Sequence, residues 1–193
     1  MSARPRLFVA IALGPDVVPG VARAVARGRA VAPRARWAAE DVAHLTLVFL
    51  GATDAGAVDG ITAAVTRAAG PRAPFDLVVT GAGTFGRPSS PRVLWLGIGG
   101  DVEALAAVQT AVARALVPLG VPLEDRPFRP HVTLARARDA RGDRDLARAR
   151  EALEGFEAGG LRVRELGLVE SRLGAGGPRY TVRASMPLGM PAA

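Results

Sequence analysis

Short apolar runs alternate along the chain with longer stretches whose apolar positions have the spacing of amphipathic helices. Leu7–Leu13 is a continuous apolar run that is too short for a typical helix and predicts a buried strand. After Asp101, apolar residues recur at intervals of three and four and predict a helix. Aspartate favours helix N-caps, so Asp101 is the predicted start of this helix. The apolar residues are Leu105, Val108, Val112 and Leu116.

The rest of the pattern predicts that strands and helices are interspersed. The other predicted strands are His44–Leu50, Phe75–Thr80, Arg92–Ile98 and Arg129–Ala135, with Leu161–Glu170 and Tyr180–Pro187 as the two arms of a closing hairpin. The other predicted helices are Asp16–Ala30, a segment from Asp54 to a stop at Gly70–Pro71, and Asp143–Leu153.

The chain contains an internal repeat of strand, helix and strand. His44 follows Leu7 by 37 positions, and His131 follows Val93 by 38 positions. Two similar lobes that face each other would bring the second strands of the two units together about a pseudo-two-fold axis. Because no linker rich in Pro and Ser divides the chain, we expect residues 1–193 to form a single bilobal domain.

Both histidines of the chain lie in the same tetrapeptide frame. Residues 44–47 read HLTL and residues 131–134 read HVTL. Side chains alternate between the two faces of a strand, so His44 shares a face with Thr46, and His131 shares a face with Thr133. The aliphatic residues between them face the other way, where they can be buried. The motifs therefore predict two strands that each present an imidazole and a hydroxyl to a common surface.

Two imidazoles across a groove suit acid–base chemistry near neutral pH. A neutral histidine can accept a proton from a nucleophile while a protonated one donates a proton to a leaving group. A threonine hydroxyl can donate a hydrogen bond to a phosphoryl oxygen, and arginines can add charge. Together these groups favour phosphodiester chemistry that uses no metal. A metal site remains the alternative, although two histidines without cysteine fall short of three or four ligands unless Asp or Glu joins them.

Composition narrows the class of protein. The absence of cysteine excludes disulfides, thiolate nucleophiles and cysteine-based zinc sites, and it fits a reducing cytoplasm. The formal net charge is +7, with 25 arginines and no lysine, which favours anionic partners such as nucleotides or RNA. No apolar stretch approaches the roughly 20 residues of a transmembrane helix, so no membrane association is expected.

Five segments of the sequence resemble the two-histidine (2H) phosphoesterase superfamily, and within it the RNA 2′,3′-cyclic phosphodiesterases, also called 2′–5′ RNA ligases. The segments are RLFVAIAL, RWAAEDVAHLTLVFLG, RVLWLGIG, FRPHVTLAR and LVESRLGAGGPRYTV, in the order of the family. The resemblance implies an α+β fold that is bilobal and pseudo-symmetric. It also implies two antiparallel sheets that line a central groove, with helices packed on the outer faces.

The resemblance further implies hydrolysis of a ribose 2′,3′-cyclic phosphate to a 2′-phosphate, without metal or cofactor. His131 would be the general base and His44 the general acid, while Thr46 and Thr133 would bind the phosphate. The expected partner is RNA or a nucleotide with a 2′,3′-cyclic phosphate end, in the cytoplasm, and no obligate protein partner is evident. Two alternatives stay open. They are activity on another cyclic nucleotide or a 2′–5′ linked oligonucleotide, and a non-catalytic RNA-binding module.

Two further residues are candidates for substrate binding. Arg136 matches a family position expected to assist with the phosphate, and Phe128, just before the second motif, is a candidate for the groove wall. Arg136 follows His131 by five residues, so a regular strand would direct its side chain away from the groove. It can contribute if the strand ends or bulges after Leu134.

Overall fold

A computed structural model describes residues 4–39, 43–122, 124–174 and 177–189, which form nine strands and four α-helices. The strands are β1 (Arg6–Ala12), β2 (Arg36–Trp37), β3 (His44–Ala52), β4 (Phe75–Arg87), β5 (Ser90–Gly100), β6 (His131–Arg136), β7 (Glu157–Val163), β8 (Glu165–Gly174) and β9 (Gly177–Pro187). The helices are α1 (Val18–Val31), α2 (Val58–Ala69), α3 (Val102–Leu116) and α4 (Arg144–Ala152).

The order of the strands shows the predicted internal symmetry. The sheet runs β7-β4-β5-β6-β3-β1-β8-β9, with β2 beside β6, and the paired strands are antiparallel. The units β1–α1–β3 and β5–α3–β6 occupy equivalent places on either side of the centre. Each unit puts its motif strand, β3 or β6, at the middle of the sheet. The repeat predicted from the sequence is therefore confirmed.

The α+β class is confirmed, and the arrangement of its sheet is more specific than predicted. The two expected antiparallel sheets are two halves of one sheet in the described residues, joined where β3 and β6 pair at Leu45 and Val132. Further along β6, its neighbour is β2 instead of β3. The junction is short because β3 and β6 run in opposite directions from motifs that lie at their first residues.

The main core lies between the sheet and the helices. Leu45 and Val132, the central pair of the sheet, are fully buried there, together with Val21 of α1 and Leu105 of α3. No stretch of membrane-spanning length is expected from the sequence, but Val102–Leu119 is long and apolar enough by length and composition alone. In this fold, however, the residues predicted for the inner face of α3 are all buried in the core.

One predicted strand is divided between two partners. The segment Leu161–Glu170 was expected to be a single arm of the closing hairpin. In the structure Leu161 belongs to β7, which pairs with β4 at one end of the sheet, whereas β8 pairs with β1 and β9. Arg164 is the residue between the two strands. An uninterrupted strand pattern indicates extended backbone and does not report which strands lie beside it.

Glu170 is the buried charged residue of the described chain. One oxygen of its carboxylate accepts a hydrogen bond from Arg172 Nε at 2.6 Å, and the other accepts one from Arg183 Nη1 at 2.9 Å. The hydrogen bond from Arg172 is the main cause that holds the pKa of Glu170 below its ordinary value. The ion pair therefore stabilises the fold while the carboxylate is ionised, and this contribution is lost as the pH falls through the lowered pKa.

Glu170→Gln is expected to lower the Tm at neutral pH by about 2–4 °C, because it weakens hydrogen bonds to a buried charge. Thermal denaturation of both proteins over a series of pH values checks this. The difference should shrink as the pH falls, because the wild-type carboxylate then becomes neutral as well. The matched control is Glu165→Gln at an exposed residue of the same strand. A difference that stays constant down to strongly acidic pH would contradict the assignment.

Candidate active site

The register between the central strands brings the two motifs together. Leu45 lies opposite Val132, and both are fully buried on the helix side of the sheet. When this register is continued by one residue in each direction, His44 lies opposite Thr133 and Thr46 lies opposite His131. These four half-buried side chains share the opposite face of the sheet, which we call the motif face.

Antiparallel geometry sets the separations within this square of side chains. Residues directly opposite each other have Cβ atoms about 4.5–5.5 Å apart, and diagonal neighbours are about 7–8 Å apart. The two histidines are diagonal neighbours. At this spacing both imidazoles can reach one tetrahedral phosphorus, and a threonine lies opposite each histidine in the register.

The tautomer of His131 follows from its hydrogen bond. Its Nδ1 lies 2.7 Å from the carbonyl oxygen of Arg129. A carbonyl can only accept, so Nδ1 carries the proton and the neutral ring has its lone pair on Nε2. Burial is the main cause that lowers the pKa of His131, and the charge of Arg136 lowers this pKa further, while the hydrogen bond to Arg129 raises it in part. The ring is therefore neutral at pH 7 and can act as a base.

Aromatic rings contact the imidazoles of both histidines. The His131 ring meets Phe85 edge to face at a centroid distance of 4.9 Å, with Trp95 at 6.1 Å. His44 stacks on Phe8 at a centroid distance of 4.7 Å and lies perpendicular to the ring of Tyr180 at 5.0 Å. Rings packed in this way restrict the rotation of each imidazole.

These aromatic neighbours were not identified as site residues from the sequence. Phe8 is buried, but in a separate small cluster with Ala10, Val169 and Tyr180 instead of the main core. The alternation within β1 is a signal that separates Phe8 from its neighbours Leu7 and Val9, which face the helices.

A β-bulge brings Arg136 to the motif face. Across β5 and β6, Trp95 pairs with Thr133 while Leu94 pairs with Ala135, so Leu134 is an extra residue in β6. Leu134 and Ala135 are consecutive and both buried. Since Ala135 faces the core, Arg136 lies on the same face as His131 and Thr133. Burial raises the pKa of Tyr180, and the charge of Arg136 offsets this in part, so Arg136 lies within electrostatic reach of both halves of the site.

The first motif strand has the equivalent bulge. Across β1 and β3, Ala10 pairs with Thr46 while Val9 pairs with Val48, so Leu47 is the extra residue. The residue of β3 that corresponds to Arg136 is therefore Phe49, which is 66% exposed and packs near Phe8 at 6.1 Å. The two ends of the motif face thus differ, with a cation at one end and an exposed aromatic ring at the other.

Phe128 occupies a different setting from the histidine neighbours. It is half-buried and packs against the main core cluster.

A cavity of about 620 Å³ lies beside His44. Phe8, Tyr180 and the connection between β7 and β8, including Arg164, line this cavity. It has the size of a site for a small organic molecule.

Within residues 4–39, 43–122, 124–174 and 177–189, no group of three or more His, Asp or Glu side chains is close enough to hold a metal ion. Glu40 and Asp41 stand just before the first motif, where the sequence allows either an orienting role toward His44 or a solvated loop, and both lie outside these ranges.

Comparisons with known proteins find a matching family, similar sequences and similar solved structures. The model of the 2′-5′ RNA ligase superfamily matches residues 17–175. An RNA 2′,3′-cyclic phosphodiesterase of Geobacillus stearothermophilus is 34% identical over 69% of this chain, which spans 42% of that longer protein. One of Methanothermobacter thermautotrophicus is 30% identical over 91% of this chain and 95% of its own length. The crystal structure of E. coli LigT with 3′-AMP superposes with a TM-score of 0.74 at 29% identity, over 95% of this chain and 98% of that one.

Proposed function

The chain belongs to the 2′-5′ RNA ligase superfamily, and we propose that it is an RNA 2′,3′-cyclic phosphodiesterase that opens the cyclic phosphate to a 2′-phosphate. The observation that carries the proposal is the square of two imidazoles and two hydroxyls on one face of the central strands. The names of its relatives support the reaction class. The 3′-AMP in the E. coli LigT complex supports a site for ribose phosphates.

In the proposed mechanism His131 is the general base. Its Nε2 accepts a proton from a water molecule, whose oxygen attacks the phosphorus. The hydrogen bond from Nδ1 to the Arg129 carbonyl supports this role, because it orients the ring and stabilises the imidazolium that forms. The lowered pKa supports it as well, since a base must be neutral before the reaction begins.

His44 is the proposed general acid, placed diagonally across the square. The bond between phosphorus and the ribose 3′ oxygen breaks as the new bond to water forms, and the 3′ oxygen takes the proton of His44. Thr46 and Thr133 donate hydrogen bonds to the non-bridging oxygens, where negative charge develops. Arg136 adds a positive charge at the same face. The phosphate remains attached through the 2′ oxygen.

Further features of the proposal concern the whole protein. Buried residues of both halves of the sheet belong to one main core cluster, which supports residues 1–193 as a single bilobal domain. Phe128 at the groove wall remains part of the proposal. We also propose a cytoplasmic location and no obligate protein partner.

The chain is expected to hydrolyse 2′,3′-cyclic AMP to 2′-AMP with the same rate in the presence and absence of excess EDTA. The physical reason is that both proton transfers and the charge stabilisation are assigned to side chains. Chromatography that separates 2′-AMP from 3′-AMP, after incubation with and without EDTA, is the measurement. Loss of activity with EDTA and its return with added Mg²⁺ or Zn²⁺ would identify a metallohydrolase instead. Salt-sensitive RNA binding without turnover would favour a binding module.

A further inference from the structure

Two arginines lie directly opposite each other at one end of the motif face. Arg36 of β2 is the antiparallel partner of Arg136, and Trp37 is the partner of Ala135. Trp37 faces the helices, because its ring packs against Gly28 of α1 and its Nε1 donates to the Ala32 carbonyl at 2.9 Å. Neighbouring strand residues face opposite ways, so Arg36 lies on the motif face beside Arg136.

The two guanidinium groups lack the neutralising partner that three other arginines of the sheet have. Arg162 pairs with Asp76, while Arg172 and Arg183 pair with Glu170. Neither Arg36 nor Arg136 forms an ion pair with any residue that the structure describes. Like charges directly opposite each other on a sheet are destabilising. A pair of this kind is therefore suited to an anion that both side chains can contact.

The distance between the arginine pair and the reacting centre indicates which anion the pair binds. Strand residues rise about 3.3 Å each, so Arg136 lies roughly 7–10 Å along β6 from Thr133. This is a distance that one nucleotide of an extended RNA strand can span. A second phosphate of the same strand would thus meet the arginine pair when the terminal cyclic phosphate lies between His44 and His131.

We propose that Arg36, with Arg136 beside it, binds the phosphate on the 5′ side of the terminal nucleotide. This contact makes the enzyme favour RNA ends over mononucleoside 2′,3′-cyclic phosphates. The inference rests on the proposed function and adds a second phosphate subsite to it. Arg36 determines specificity here and takes no part in the chemical step. Its contribution depends on whether the substrate carries that second phosphate.

Three substrates separate the contribution of the second phosphate from that of the cyclic phosphate. They are adenosine 2′,3′-cyclic phosphate, the same nucleotide with a 5′-phosphate, and the dinucleotide ApA with a 2′,3′-cyclic phosphate end. Arg36→Ala is expected to lower kcat/KM about 10-fold for the second and third substrates, through KM, and less than about twofold for the first. The slope of log KM against log salt should fall by about one for the dinucleotide. Arg29→Ala, which removes the same charge from α1 on the helix side, is the matched control and should leave all three unchanged.

The possible outcomes are distinguishable. An equal loss on all three substrates would assign Arg36 to the reacting phosphate and overturn the inference, as would no change on any of them. If Arg164→Ala lowers kcat/KM for the second and third substrates and Arg36→Ala does not, the RNA passes through the cavity beside His44. That outcome also overturns the inference. The Tm of Arg36→Ala should equal or exceed that of the wild type, since one repulsion is removed. Failure of the wild type on every substrate would refute the proposed function itself.

Discussion

His131→Ala and His44→Ala are each expected to lower kcat/KM for 2′,3′-cyclic AMP by about 10²–10⁴-fold, the usual contribution of a positioned general acid or base. His131 is assigned the base because its Nδ1 proton is held by Arg129 and its Nε2 lone pair is available. Without it, water must attack while still fully protonated. Without His44, the 3′ oxygen must leave as an alkoxide. The measurement is kcat/KM for both variants, with EDTA present throughout.

The pH dependence separates the two roles. In the wild type kcat/KM should be bell-shaped, and the acidic limb should lie below the ordinary pKa of histidine, because burial and Arg136 lower the pKa of His131. His131→Ala should abolish this acidic limb, while His44→Ala should abolish the basic limb. The reverse pattern would exchange the acid and the base. Full activity in both variants would refute two-histidine catalysis altogether.

A folding control accompanies these variants. Both histidines are half-buried and lie against aromatic rings, so removal of an imidazole leaves a small gap on the motif face. We expect the Tm to change little compared with a substitution in the main core, since the helix side of β3 and β6 is untouched. A variant that is inactive with an unchanged Tm has lost chemistry and not the fold.

Much of this site follows from the sequence because it depends on local geometry. The alternation of side chains is sufficient to separate His44 and Thr46 from Leu45, and the structure buries Leu45 fully. The repeat of strand, helix and strand is sufficient to place both motif strands at the centre of the sheet. Neither inference requires knowledge of contacts between distant residues.

The remainder of the site depends on pairing between strands, which the sequence does not encode residue by residue. The face on which Arg136 lies depends on the extra residue Leu134 opposite β5, and a sequence pattern can offer the bulge only as one possibility. Tyr180 reaches His44 from β9, two strands beyond β1. The opposition of Arg36 and Arg136 likewise arises from the pairing of β2 with β6.

Thr46→Val and Thr133→Val are expected to lower kcat by about 10²–10³-fold each, the usual cost of removing one preorganised donor to a developing negative charge. Valine preserves the shape of the side chain and the propensity for a strand, so the loss reports the hydroxyl. The register puts Thr46 beside His131 and Thr133 beside His44, so the two hydroxyls are equivalent under the pseudo-two-fold axis. Steady-state kcat and KM for 2′,3′-cyclic AMP measure the effect.

The distribution of the loss between kcat and KM decides what the threonines do. A donor that strengthens as charge develops on the phosphoryl oxygens lowers kcat, whereas one that binds ground state and transition state equally raises KM alone. The matched control is Thr181→Val, which should change neither kcat nor KM. Thr181 is an exposed residue of β9 that lies opposite Glu170 of β8. If Thr46→Val and Thr133→Val behave like this control, the phosphate does not lie within the square. The reacting centre would then have to be sought elsewhere on the motif face.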